Sequence, residues 1–376
     1  MIDLNICEWL MRNAGAPIRY RVAREFLHDE GAAKNVEPEL LENDAVKTWL
    51  KYLKPETPPQ HWSMEHGSFD FNLENALLKS VQLGLHAALS PLDDAVQYYL
   101  YKMNALNVDC SRKNSGFQLG DSNLGFYSIL TTNLLMRAGF NDTIIVSRML
   151  ESLDVLYGFV SKGDYEIYAC GEERDSLKAV PAIWKDKKFI KRGLVEEHGF
   201  CYPLIYDIVG LYKLYGLAGP ETDKKIDAVI EYISTDEFHN TIADGYGILI
   251  SGGRKYHAMG WDPKYPGWFD VQEYFKKGDM PKLLFFAECI SKYPVARKTK
   301  WYQEYTKNIK KYRNGDGRYE FPAGWLKERQ GYAVMGSHMS FGENRRNKNW
   351  REVESTFYML LLSQYNGEIQ ERQIGV

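Results

Sequence analysis

The sequence predicts an all-α protein assembled from successive helical hairpins. Three observations carry that reading. Apolar residues recur at helical spacing in nearly every segment. Loops of Gly beside an aromatic residue separate the helices, at intervals of about fifty residues from Gly67 to Gly116 and from Gly199 to Gly245. Strand signals are almost absent, with Gly247–Ser251 the one stretch that reads as a short strand or buried turn.

Taken in order, Ile18, Val22 and Phe26 repeat at i, i+4 and i+8, and Pro17 suits the first turn of that helix. Residues 1–54 form an N-terminal helical segment expected to pack on the rest of a single domain, 1–376. A Pro-rich loop covers 55–67. Leu77, Val81, Leu85 and Leu89 are in register for a helix over 72–89, and Ser90-Pro91 opens the next, as far as Met103. Helices follow over 127–138, ending at Gly139, and over 143–156. The stretches 203–215, ending at Gly216, and 222–233, with Thr222 as N-cap, repeat the pattern. A pair over 282–291 and 301–312 and a last helix over 352–364 complete about six hairpins. Periods of this size belong to stacked supersecondary units.

Composition bounds the function. The 376 residues are 44% hydrophobic and 26% charged, with net charge −3, so no basic field exists to hold a nucleic-acid backbone. No apolar run is long enough to span a membrane, and Met1–Leu10, with Asp3 and Glu8, does not read as a signal peptide. Five widely spaced cysteines, at 7, 110, 170, 201 and 289, read as free thiols of a reducing, cytoplasmic setting. The aromatic share, 14%, suits a lined cavity for a small-molecule ligand as well as an ordinary core.

Trp9-Leu10, Ile18-Arg19-Tyr20-Arg21, the unit Gly125-Phe126 … Leu130 … Leu134 … Gly139-Phe140 and the closing Val353-Glu354-Ser355-Thr356-Phe357 resemble bacterial proteins described as prenyltransferase or squalene-cyclase-like. The resemblance covers most of the chain. It implies an (α/α) toroid around a central cavity, the fold of terpenoid cyclases and protein prenyltransferase β-subunits. The acidic motifs of those enzymes are not reproduced. Pro91-Leu92-Asp93-Asp94 has Pro where a class II cyclase has its first Asp, and Gln97 stands where the last Asp of the class I motif belongs. Asp93-Asp94 reads instead as a pair complementing a helix dipole. Cys201 near His198 and Asp207 lacks the prenyltransferase zinc context.

Four clusters are candidates for chemistry. Tyr256 and His257, with Trp261, Asp262 and Trp268 following a Gly-Gly turn, offer a proton donor, a base and stacking surfaces in a loop. His198, Tyr202 and Asp207 straddle a helix start, where backbone N–H groups favour an anion. Trp325, Tyr332, His338, Arg345, Arg346 and Trp350 combine an acid–base candidate in His338 with two arginines able to clamp a diphosphate or carboxylate. Trp62 and His66 sit in the first loop. His61 and His66 lack zinc-pair spacing, so no metal site is predicted, and no residue pattern names a cofactor. Each cluster also has a plain reading as a packed or solvated loop.

Three functions compete. The first is an enzyme acting on an isoprenoid or other small substrate in an aromatic-lined cavity, with Asp207 or Asp262 as its acid. The second is a carbohydrate lyase or hydrolase using Tyr/His acid–base chemistry, with Arg345 neutralising a uronate. The third is a non-catalytic repeat scaffold.

Overall fold

The computed structural model describes residues 4–54, 65–105, 112, 124–194, 201–251 and 255–364, which are predominantly helical. By contacts the chain divides into two compact units. Unit 1 comprises Met1–Val96 and Phe269–Val376, and unit 2 comprises Gln97–Trp268. The division falls inside the helix Ser90–Ala105.

Unit 1 starts with four helices, Leu4–Asn13, Ala16–Arg21, Glu30–Glu42 and Asp44–Leu53. Pro17 occupies the first turn of the second, which continues as a π-helical turn, Val22–Phe26. Ile18, Val22 and Phe26 are all buried, as their spacing predicts. Asn43 caps the helix Asp44–Leu53, its side-chain oxygen accepting from the N–H groups of Ala45 and Val46. That helix buries Val46, Trp49 and Leu53 and packs against Leu73–Gln82. Leu73–Gln82 is buried on every side over its first eight residues, including Glu74, Asn75, Lys79 and Ser80. It is shorter than the 72–89 expected. Gly84, at φ +104°, turns the chain out of the helix, so Leu85 and Leu89 reach the core from the following turn. In the second part of unit 1, Met280–Ile290 is likewise buried almost all round. Lys300–Ile309 is two-faced, buries Trp301, Tyr302, Tyr305 and Ile309, and packs against Val271–Lys277. The last helix, Trp350–Ser363, packs against Leu4–Asn13.

Unit 2 contains two successive hairpins. Leu124–Arg137 and Thr143–Val160 form the first, and Ile205–Leu214 and Pro220–Ile233 the second. First helix packs on first helix and second on second. The first-helix contact is close: Gly210 lies against Asn133, and a Cβ built there would stand 2.1 Å from Asn133 Oδ1. Pro220–Ile233 buries Ile226, Val229, Ile230 and Ile233, the i, i+3, i+4, i+7 stripe of a helix with one wet face. Its N-cap is Gly219. Thr222, expected as the cap, lies inside the helix and donates its hydroxyl to the Ala218 carbonyl. Gly139 and Gly216, both at positive φ, stop the first helix of each hairpin where the sequence places the stop.

Between and after these hairpins the chain departs from helix. Ile248–Ser251 pairs antiparallel with Lys255–Ala258, Ile248 opposite Ala258 and Leu249 opposite His257. Phe189 adds a parallel bridge to Ile248. Part of the stretch read as a loop around Tyr256 is therefore a strand. No helix among the described residues is long and apolar enough to cross a membrane. Cys7, Cys201 and Cys289 are buried free thiols and Cys170 is exposed, while Cys110 lies outside the described residues.

Candidate acid–base site

The densest buried polar cluster of unit 1 joins two loops to the helix Leu73–Gln82. Asn75, in the first turn of that helix, does the joining. Its amide nitrogen donates to the carbonyls of Gly67 (2.9 Å) and Phe69 (2.8 Å), and its oxygen accepts from Ala333 N–H (2.7 Å). Asn72 Oδ1 accepts from Phe69 N–H at 3.0 Å. Glu74 accepts from Gly67 N–H at 2.6 Å and meets His66 Nδ1 at 2.7 Å. The segment 65–72 is thus pinned by the polar first turn of a buried helix. His66 also stacks on Tyr332, ring centroids 5.4 Å apart. Burial, with the charge of Glu74, raises the Tyr332 phenol above its ordinary range.

Lys79, one turn further along and 2% exposed, carries its ammonium into the same cluster. It donates to Glu328 Oε1 (2.6 Å), Gln82 Oε1 (3.2 Å) and the carbonyls of His338 and Ser340. A buried ammonium is tolerated only with such a complement of acceptors. Glu328 in turn accepts from Ser340 N–H (2.9 Å) and meets His338 Nδ1 at 3.1 Å. Burial works against its ionised form, but Lys79 and the bond with His338 outweigh it, so the carboxyl stays below its usual range.

His338 is 5% exposed, and its ring is met edge-on by Trp49 at 4.8 Å. The carboxylate at Nδ1 accepts from a proton carried there, and the role of Nε2 depends on the tautomer. Nε2 has no hydrogen-bond partner among the described residues. It faces Asp70 Oδ1 at 3.9 Å, and that oxygen is likewise buried without one. Glu328 thus fixes the orientation of the His338 ring through Nδ1.

A second buried carboxyl pair braces the loop that carries His338. Glu354 is fully buried and accepts from Ser340 Oγ (2.9 Å), the N–H groups of Phe341 (2.8 Å) and Glu343 (3.2 Å), and Arg345 (2.9 Å). Burial raises its carboxyl, with Arg345 opposing. Glu343 accepts from Gly15 N–H at 2.6 Å, just ahead of Ala16–Arg21. Burial, reinforced by the Glu354 charge, pushes it up to about 7.

Of the residues singled out in the sequence, unit 1 brings His66 onto Tyr332 and Arg345 onto Trp350, the guanidinium 3.8 Å from the ring centroid. Arg345 is already engaged by Glu354 and the Leu326 carbonyl, so it is not a vacant anion clamp. Arg346 is exposed. Trp325 is packed among Phe275, Tyr312 and Phe321.

The remaining described candidates belong to unit 2 and serve its packing. Asp207 accepts from Leu204 N–H at the start of its helix, from Asn133 at 3.1 Å and from buried Arg112. Asp262 accepts from the N–H groups of Gly245 (2.6 Å) and Lys264 (3.0 Å). Tyr202 is buried, which drives its phenol well above the ordinary range, and it donates to Met259 Sδ. Tyr256 donates to the Lys178 carbonyl. Trp261 stacks on Phe126 at 4.0 Å, and Trp268 stacks on His239 while donating to Asp236. Trp62 and His198 lie outside the described residues, as does the side chain of His257. Asp93 and Asp94 lie near the start of Ser90–Ala105, Asp93 in its first turn and Asp94 exposed, as a dipole-complementing pair would.

Sequence reasoning missed Asp70, Lys79 and Glu328. The available signal was in Leu73–Gln82, where Glu74, Asn75 and Lys79 interrupt a run that periodicity places wholly inside. No protein-family model, curated protein or solved structure matches the chain.

Proposed function

We propose that the protein is an enzyme that moves a proton on a small polar substrate, with His338 as the acid–base group. One observation carries the reading: buried His338 is oriented through Nδ1 by Glu328, while its Nε2 has no partner among the described residues. A purely structural buried histidine ordinarily satisfies both nitrogens. The reading is nearer to lyase or hydrolase chemistry than to isoprenoid cyclisation, because Asp207 and Asp262, the acids a cyclase would need, spend their oxygens on backbone and side-chain donors. Ring closure of the hairpins into an α/α toroid belongs to the same proposal. It is supported by the like-on-like stacking of the two hairpins of unit 2.

The test is a thermal-shift screen of the full chain with neutral and uronate oligosaccharides and with prenyl diphosphates, with and without magnesium. Mass spectrometry of each hit after incubation follows. A ligand at 100 times its Kd adds about 2.7 kcal/mol to the folded state. We expect an oligosaccharide to bind and be converted, and His338→Gln to bind it with turnover lowered about 10²–10⁴-fold, the usual contribution of a general acid–base. Undiminished turnover by the variant, or shifts with prenyl diphosphates alone, overturns the assignment. Silence from both panels also overturns it and leaves a helical scaffold.

A further inference from the structure

Between Tyr168 and Ile190 the chain of unit 2 makes a closed excursion. Its ends are tied together. Tyr168 and Ile190 form an antiparallel bridge, Ala169 N–H donates to the Phe189 carbonyl at 2.8 Å, and Lys191 N–H donates to the Ile167 carbonyl at 2.9 Å. Ile190 N–H donates to the Ile248 carbonyl at 2.9 Å, which joins this neck to the two-stranded sheet. The excursion is also braced within. Arg174 lies over the Phe189 ring, 4.3 Å from its centroid, and donates to the Lys185 carbonyl at 2.7 Å. Tyr256 donates to the Lys178 carbonyl, just before Ala179 turns the chain at φ +56°.

What this braced loop leaves in water is apolar. Ala179, Val180, Pro181, Ala182, Ile183 and Trp184 are consecutive, and every one is exposed or half-exposed. Ile183, in the middle of the 3-10 turn Ala182–Trp184, is 78% exposed, more than any other large hydrophobic residue among those described. An exposed apolar run of this length costs solubility and is kept where it meets a partner. Cations surround it. Residues 176–192 hold five lysines and Arg192 against the single carboxylate Asp186, a net charge of +5 in a chain whose total is −3. Lys178 and Lys185 bracket the run, Lys187 follows, and all three are exposed. Glu172, Glu173 and Asp175 stand apart from it in sequence, in the short helix Gly171–Asp175, where Glu173 accepts from Arg192 N–H.

An apolar tip ringed by lysines matches the boundary of an anionic bilayer. There Ile and Trp side chains leave water among the headgroups while the ammoniums meet lipid phosphates and carboxylates. A nucleic acid or an acidic peptide would answer the charge and leave Ile183 in water. We infer that residues 177–188 are a membrane-surface docking loop, with Ile183 and its apolar neighbours entering an anionic leaflet and Lys178, Lys185 and Lys187 holding its headgroups. The inference is independent of the role of His338, which belongs to unit 1.

The experiment is vesicle flotation of the full chain, with phosphatidylcholine alone and with phosphatidylcholine and phosphatidylserine in equal parts, at low and high salt. Binding is expected to the anionic vesicles and should weaken with salt. Ile183→Ser should lower the affinity about tenfold, through the lost burial of an isoleucine side chain. Lys185→Gln combined with Lys187→Gln should lower it roughly 25-fold, about fivefold for each charge near the surface. These side chains are exposed, so both variants should keep the Tm of the parent. A DNA duplex and polyglutamate, which offer charge without an apolar phase, are titrated in parallel and should bind more weakly than the anionic vesicles. Absence of binding to the anionic vesicles overturns the inference, as does equal binding to the neutral ones. Binding that Ile183→Ser leaves unchanged overturns it too. DNA or polyglutamate bound as tightly as the vesicles also overturns it and assigns the lysines to a soluble polyanion.

Discussion

Glu343 shows how one side chain sets a pH dependence. Its carboxyl titrates at about 7 in the fold, against 4.5 for an ordinary glutamate. The native state therefore holds a proton that the unfolded chain has lost between those values. The stabilisation is complete below pH 4.5, declines as pH rises, and is gone above about 7. A shift of that size corresponds to about 3 kcal/mol. Denaturant melts of the wild type between pH 4.5 and 8 should show the decline, and Glu343→Gln, which keeps an oxygen for Gly15 N–H, should flatten it. Had burial not raised this carboxyl, both proteins would give parallel curves. In the sequence, Glu343 stands two residues ahead of Arg345, one of the two arginines expected to clamp an anion. The nearby arginine charge was legible by proximity. The partner carboxylate Glu354 and the contact with Gly15 were not, because only the fold brings residues 15, 343 and 354 together.

Elements were easier to read than their interactions. The helices of both hairpins in unit 2 fall within a few residues of the expected positions, because each has apolar residues at helical spacing and the first of each pair stops at a glycine. The helix Leu73–Gln82 was misjudged in length, since Leu85 and Leu89 keep helical spacing after Gly84 has turned the chain. Spacing alone cannot separate a helix from a turn that feeds the same core. The contact between Leu124–Arg137 and Ile205–Leu214 gives a sharp test. Gly210 has ordinary helical backbone, so the constraint is space: a methyl group there would meet Asn133 Oδ1 at 2.1 Å and its Cα at 2.8 Å. Gly210→Ala should cost at least about 1–3 kcal/mol, the usual penalty for overpacking, despite the better helix propensity of Ala. Urea unfolding of the variant checks this. A neutral or stabilised variant would mean that the two helices are not seated so closely.

At the scale of the molecule, the two units carry opposite pH responses. His239 in unit 2 is buried against Trp268, centroids 4.3 Å apart, and touches the Ile233 carbonyl. Burial, aided by the Lys264 charge, lowers it to about 3 from 6.5. Here the unfolded chain binds the extra proton, so the stabilisation is present above pH 6.5 and is lost as pH falls towards 3, by about 1.4 kcal/mol per unit. Trp268 fluorescence should report unit 2 weakening under acid, and His239→Gln should remove that slope. A wild-type slope no steeper than the variant's would contradict the assignment. Neither response was readable from composition, since a histidine in Asp236–Thr241 looks solvated until its neighbours are known.

The discontinuity of unit 1 has a consequence for biosynthesis. Translation releases the chain from its N-terminus, so residues 97–268 leave the ribosome as one continuous stretch before Glu328 and His338 exist. Until then Lys79 waits without its carboxylate and Asp70 without the imidazole it faces, 268 positions further along the chain. A ribosome stalled between residues 268 and 328 would hold the contiguous unit entire, with Asp70 and Lys79 already made but neither Glu328 nor His338. The order of synthesis thus leaves the buried polar cluster incomplete until residues 328 and 338 have been added.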